Sequence, residues 1–157
     1  MKTKHTFFYA LLSLLCFSLM SSTCSSDDDD NMPNSSVQDA VMVSQSGTWK
    51  ISSFIDSGQN ETNHFTGYTF TFEDNGDLTA TNGSNTLTGS WSITNSNSNV
   101  DSNDDMDFNI FFPVDESSAF EDLNDDWDIS SYNENTINLI DVSGGNGGTD
   151  TLTFTRL

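Results

Sequence analysis

The chain is 157 residues long and carries 24 acidic side chains against four basic ones, a formal charge of −20 at neutral pH. That balance excludes nucleic acid, whose phosphates are gripped by Lys and Arg, and adhesion of the folded part to anionic lipid. An acidic excess suits solubility, cation-rich water or a basic partner, and says nothing about fold.

Lys2 and Lys4 precede an apolar run from Phe7 to Met20, and no acid appears before Asp27. This is the order of a secretion signal over residues 1–23. At about 14 residues the run falls short of the roughly 20 that a spanning helix needs. The small residues Ser21, Ser22 and Thr23 then lead into Cys24. The segment resembles a bacterial lipoprotein signal, in which such a cysteine is acylated and becomes the first mature residue. Cys16 lies inside the apolar run behind bulky Leu15. Cleavage therefore leaves Cys24 as the lone cysteine, with no intramolecular disulfide available. Several acyl chains hold a membrane stably where one is marginal. Ser25, Ser26, Asp27, Asp28, Asp29 and Asp30 follow, and the stretch resembles the acidic export signal of Bacteroidota surface lipoproteins. That resemblance implies anchoring in the outer membrane through Cys24, with the protein exposed at the cell surface. Residues 24–45, rich in Ser, Asp and Asn, read as the lipidated cysteine and a disordered acidic tether.

The rest, residues 46–157, has the length of one domain. Apolar residues alternate there in short runs separated by turn residues, which predicts antiparallel β structure. Trp49, Ile51, Ser53 and Ile55 share one face of a first strand, and Tyr68, Phe70 and Phe72 one face of a second. Asn75-Gly76 predicts a type I′ hairpin turn. Leu78 and Ala80 mark a third strand, and Leu87, Gly89, Trp91 and Ile93 a fourth. Met106, Phe108, Ile110 and Phe112 mark a fifth, whose second face also carries Phe111. A helical turn is expected around Ala119, Phe120 and Leu123. The last three strands are centred on Trp127, Leu139 and Leu152–Phe154, the final two joined by a glycine-rich link. Eight short strands joined largely by tight turns predict an all-β, up-and-down meander closed into a barrel, which leaves no free edge. A two-sheet sandwich is the alternative.

Gly47-Thr48-Trp49 opens the first strand and Arg156 lies in the last. This resembles the lipocalins, whose Gly-x-Trp motif places a Trp at the closed end of the barrel beneath an Arg from near the final strand. The resemblance implies a lipocalin-like barrel closed by Gly47, Trp49 and Arg156. A barrel of this size holds packed side chains or one small ligand, and Tyr68, Phe70, Trp91 and Phe108 are the candidate ligand-facing residues.

Catalytic chemistry is sparse. His64 is the only histidine after His5 and no thiol is expected to remain for catalysis, so no His–Cys or Ser–His–Asp set assigns a base to a nucleophile, and the expectation is a non-enzymatic protein without a cofactor. Asp101, Asn103, Asp105 and Asp107 offer oxygen ligands at alternate positions, the pattern a hard cation such as calcium needs. Asp122, Asp125, Asp126 and Asp128 read as a solvated acidic loop. Two functions follow: a surface-anchored module binding a small or extended ligand, or a structural lipoprotein with a filled core that contacts an envelope protein.

Overall fold

The computed structural model describes residues 35–95, 106–142 and 148–157. A helix, α1 (Ser35–Gln45), precedes nine strands. These are β1 (Thr48–Asp56), β2 (Gln59–Asn60), β3 (Thr69–Phe72), β4 (Asp77–Thr81), β5 (Thr86–Asn95), β6 (Met106–Phe111), β7 (Asp125–Asn133), β8 (Thr136–Val142) and β9 (Thr149–Arg156). Every pairing is antiparallel, β3 to β9 follow one another in chain order, and β1 joins β3 on one side and β9 on the other. The result is a closed eight-stranded up-and-down barrel with one extra strand. The β1–β9 ladder, running from Trp49↔Arg156 to Ile55↔Thr151, excludes the sandwich, whose sheets would keep open edges.

All eight predicted strands are present, with three local departures. A bulge between Ile51 and Ser53 adds a residue to β1 and reverses its parity. Phe54 therefore enters the core at 1% exposure, whereas Ser53 and Ile55 do not share the face of Trp49 and Ile51. Secondly, Ser57 (φ 49°) and Gly58 (φ 79°) form a two-residue turn with both φ values positive, as type I′ requires. That turn pairs Asp56 with Gln59 and creates β2. Thirdly, the turn at Asn75-Gly76 is not type I′. Only Gly76 has a positive φ there, 86°. The Gly76 N–H donates to Glu73 O at 3.1 Å and the Glu73 N–H to Asp77 O at 2.9 Å. This is a type I turn closed by a glycine bulge.

The last eleven residues of the expected disordered tether form α1. Ala40 is buried, and Val37, Val41 and Val43 pack against the core, so the segment gains enough apolar contact to offset the entropy of ordering it. In the β6–β7 connection the expected helical turn shrinks to a 3-10 turn, Glu121–Leu123.

Inward positions carry Trp, Phe, Leu and Ile. Outward ones on β3, β4 and β5 carry threonine in register, as in Thr71↔Thr79 and Thr79↔Thr88. β-branched residues suit such half-exposed pleated faces.

Candidate functional site

Antiparallel register puts the start of β1, the end of β3 and the end of β9 at one end of the barrel. There Trp49 is fully buried, and the Arg156 guanidinium carbon lies 5.1 Å from its ring centroid, within cation–π range. The same groups fasten α1. Trp49 Nε1 donates to Ser44 O at 2.8 Å, and Arg156 donates to Val43 O at 3.4 Å and to Ser46 Oγ. Carbonyls in the last turn of a helix lack intrahelical partners, and a cation there is favoured by the helix dipole. Gly47 is not sterically required: a Cβ there would sit in ordinary contact, 3.6 Å from the Arg156 stem.

The four candidate ligand-facing residues lie among other rings. Phe70 and Phe108 are fully buried and Trp91 is 7% exposed; Tyr68 is half-buried. Phe72 packs edge-on against Trp91, Phe108 and Phe154 at centroid distances of 5.1, 5.2 and 5.5 Å. Phe70 meets Phe154 at 5.4 Å. At the opposite end Phe120 touches Phe65, Tyr68 and Phe112, with centroids 5.3, 5.0 and 5.1 Å away. Edge-to-face pairs of this kind are each worth about 0.5–1.5 kcal/mol beyond the area they bury.

Each tryptophan is also tied to a segment outside the strands. Trp91 Nε1 donates to Glu73 O at 3.0 Å and Trp127 Nε1 to Leu123 O at 3.1 Å, as Trp49 does to α1. Two residues hold the Phe120 end: Asn124, which periodicity did not single out, and Gly89, which it placed in a strand without this role. Asn124 accepts from the Phe112 N–H at 2.6 Å and donates to Phe112 O at 3.0 Å, serving as a strand partner where β6 leaves the sheet. Gly89 leaves room for that departure. A Cβ there would overlap the Phe111 carbonyl oxygen and lie 2.9 Å from the Phe112 ring.

Cys24, Ser25, Ser26, Asp27, Asp28, Asp29 and Asp30 lie outside the described residues, as do Asp101, Asn103 and Asp105. Asp107, the last member of the calcium pattern, sits on β6 directly opposite Asp128 of β7. Among the described residues, no group of three or more His, Cys, Asp or Glu side chains could hold a metal ion. Asp125, Asp126 and Asp128 belong to β7 rather than to a loop, and only Asp122 lies in the connection. Burial pushes the Asp125 carboxyl up to about 6, with the Asp126 side chain and the charges of Asp141 and Asp126 adding to it; the Asp126 N–H acts the other way. Asp122 is raised too, first by burial and then by Asp56 and Glu61. His64 pairs with Glu61 at 3.3 Å on an exposed turn.

No protein-family model and no curated protein sequence matches the chain. A solved structure is similar. It is a DUF4847 family protein from Bacteroides vulgatus, with a TM-score of 0.47 and 15% identity over 75% of this chain and 97% of its own. The functional reading therefore rests on this chain's own residues.

On the outer wall, an open depression of about 340 Å³ lies between β5 and β6, lined by Ser90, Ser92, Asn109, Phe111 and Asp125 among others. A second, of about 350 Å³, lies where β1 and β3 share only two residue pairs, and includes Lys50, Thr62, Phe65 and Tyr68.

Proposed function

We propose that this chain is a non-enzymatic lipoprotein, acylated at Cys24 and displayed on the outer face of an outer membrane, whose barrel is lipocalin-like but acts through its exterior. The observation that carries the reading is the packing of Phe70, Phe72, Trp91, Phe108 and Phe154 on one another inside the barrel. Those rings occupy the positions from which a lipocalin-type ligand would be held. A ligand pocket needs a concavity on the order of 300 Å³, and opening one here would break several ring contacts at once. Of the two sequence-based functions, the filled-core interaction module is therefore favoured. Its outer surface supplies exposed strands, threonine rows and carboxylates to a partner in the envelope or its surroundings.

The anchor is tested by feeding cells an alkyne-tagged fatty acid. The full chain takes up label, Cys16→Ala keeps it and Cys24→Ala loses it; label retained by Cys24→Ala overturns the assignment. Protease applied to intact cells removes the wild-type domain and spares a variant in which residues 27–30 are alanine. The filled core is tested by native mass spectrometry of the purified chain, which is expected to show protein plus acyl groups. A stoichiometric non-covalent passenger would restore the ligand-carrier reading.

A further inference from the structure

Outward positions around the β5–β6 junction are polar: Ser90, Ser92 and Asn109, with Asp126 facing Asn109 from β7. Phe111 breaks the pattern, standing 54% exposed directly opposite Ser90. One exposed apolar residue is ordinary; its surroundings are not. The ring borders the 340 Å³ depression, whose lining joins Trp91 and Ile110 to the polar residues Ser90, Ser92, Asn109 and Asn124. The Ser90 and Ser92 hydroxyls bond to none of the described residues. Asn109 Nδ2 is committed to Thr94 Oγ1 at 3.2 Å, which leaves its Oδ1 as an acceptor. Beneath the site the backbone is stiff, because Asn124 clamps Phe112 and Trp91 is tied to Glu73.

We propose that this patch binds a neutral saccharide, with Phe111 against the C–H face of a sugar ring and Ser90, Ser92 and Asn109 hydrogen-bonding its hydroxyls. The chemistry selects the class. An aromatic ring offers one flat apolar face with a polarised π system, and a pyranose has one C–H face of similar size rimmed by hydroxyls. An anionic ligand is opposed by Asp125 and Asp126. A hydrophobic peptide would need more than one apolar anchor. A quaternary ammonium is held by cages of several rings, and this site has one.

The inference rests on the exterior being the working surface. It is tested with the full chain in a sugar-free detergent, by saturation-transfer NMR titration with cellobiose, lactose and diacetylchitobiose up to about 20 mM, a range that captures millimolar affinity. At least one sugar is expected to bind saturably, with the strongest transfer to the protons of one ring face. Phe111→Ala weakens that binding about tenfold or more, equivalent to roughly 1.4 kcal/mol, while Phe111→Trp retains it. Asn109→Ala, which leaves the ring in place, also weakens it. Absence of binding by all three sugars overturns the site but leaves the anchor and the filled core standing, since acyl labelling and native mass test those separately. Binding that survives both Phe111→Ala and Asn109→Ala overturns the site and also returns the interior to consideration.

Discussion

Arg156 is one of two cations after Lys4, and three contacts converge on it: the Trp49 ring, Val43 O and Ser46 Oγ. Arg156→Ala removes all three, although Val43 O keeps the Ser46 N–H and hydroxyl as donors. A loss of about 2 kcal/mol in urea unfolding is expected, from one cation–π contact and two hydrogen bonds. Arg156→Lys should restore less than half, because an ammonium lacks the planar fork. This pairing was legible in the sequence, because the resemblance carried by Gly47, Trp49 and Arg156 pointed to it. Gly89 was not, because its reason lies at Phe111 and Phe112, brought beside it only by the β5–β6 ladder. Asp125 was likewise hidden, since strand burial rather than any local pattern raises its pKa. The folded value of about 6 stands above the usual 3.8, so between the two the folded chain holds a proton that the unfolded chain releases. The linkage term therefore weakens the fold as pH rises through 6 and favours it as pH falls toward 4. Asp125→Asn, which stays neutral and can still accept from the Asp126 N–H, should unfold at higher urea than wild type near about pH 7.5. That advantage should vanish by about pH 4; an advantage that does not change with pH would contradict it.

Among the elements, strand existence could be read from alternation because each strand has one wet face and one dry face. Bulges were invisible to the same logic. The extra residue at Ser52–Ser53 is set by pairing with Thr153 and Phe154, about a hundred positions away, and alternation simply fails there without saying why. Ser57-Gly58 carried a turn signature in the sequence, yet a two-residue β2 is too short to show any period. α1 escaped notice for a related reason: within a polar tract, its stabilisation comes from the barrel end on which it lies. The β6–β7 connection depends on Asn124 in the same long-range manner. Replacing Asn124 with Ala strips two hydrogen bonds from Phe112, and the expected cost is about 1–3 kcal/mol because one donor and one acceptor are left half-buried. Hydrogen exchange should report the Phe112 amide opening first, ahead of amides at the centres of β8 and β9. Uniform acceleration across the barrel would mean that the connection has no independent stability.

At the scale of the whole molecule the charge is unevenly matched to the pairing. Asp107 faces Asp128 across β6–β7, and Asp141 faces Asp150 across β8–β9. Like charges directly opposite on paired strands are unfavourable, and an acidic excess adds diffuse repulsion that favours expansion. The closed barrel carries this cost because its hydrophobic interior is one cluster that includes both Trp49 and Phe120, and because β1 closes the sheet on β9. Screening should relieve it. Raising NaCl from about 10 to 500 mM shortens the Debye length from roughly 30 to a few ångströms, and the melting temperature should climb by roughly 5 °C, the response of a small domain to about 1 kcal/mol. The same experiment addresses the calcium pattern of residues 101–107. A divalent cation that only screens acts alike as calcium or magnesium at equal ionic strength. A cation bound by the native state alone adds a stabilisation that grows with the logarithm of its concentration. Melting curves that coincide would leave screening as the whole effect of either cation. A calcium curve that keeps rising above the magnesium one would support a site that includes Asp107, and Asp107→Asn should then collapse the difference.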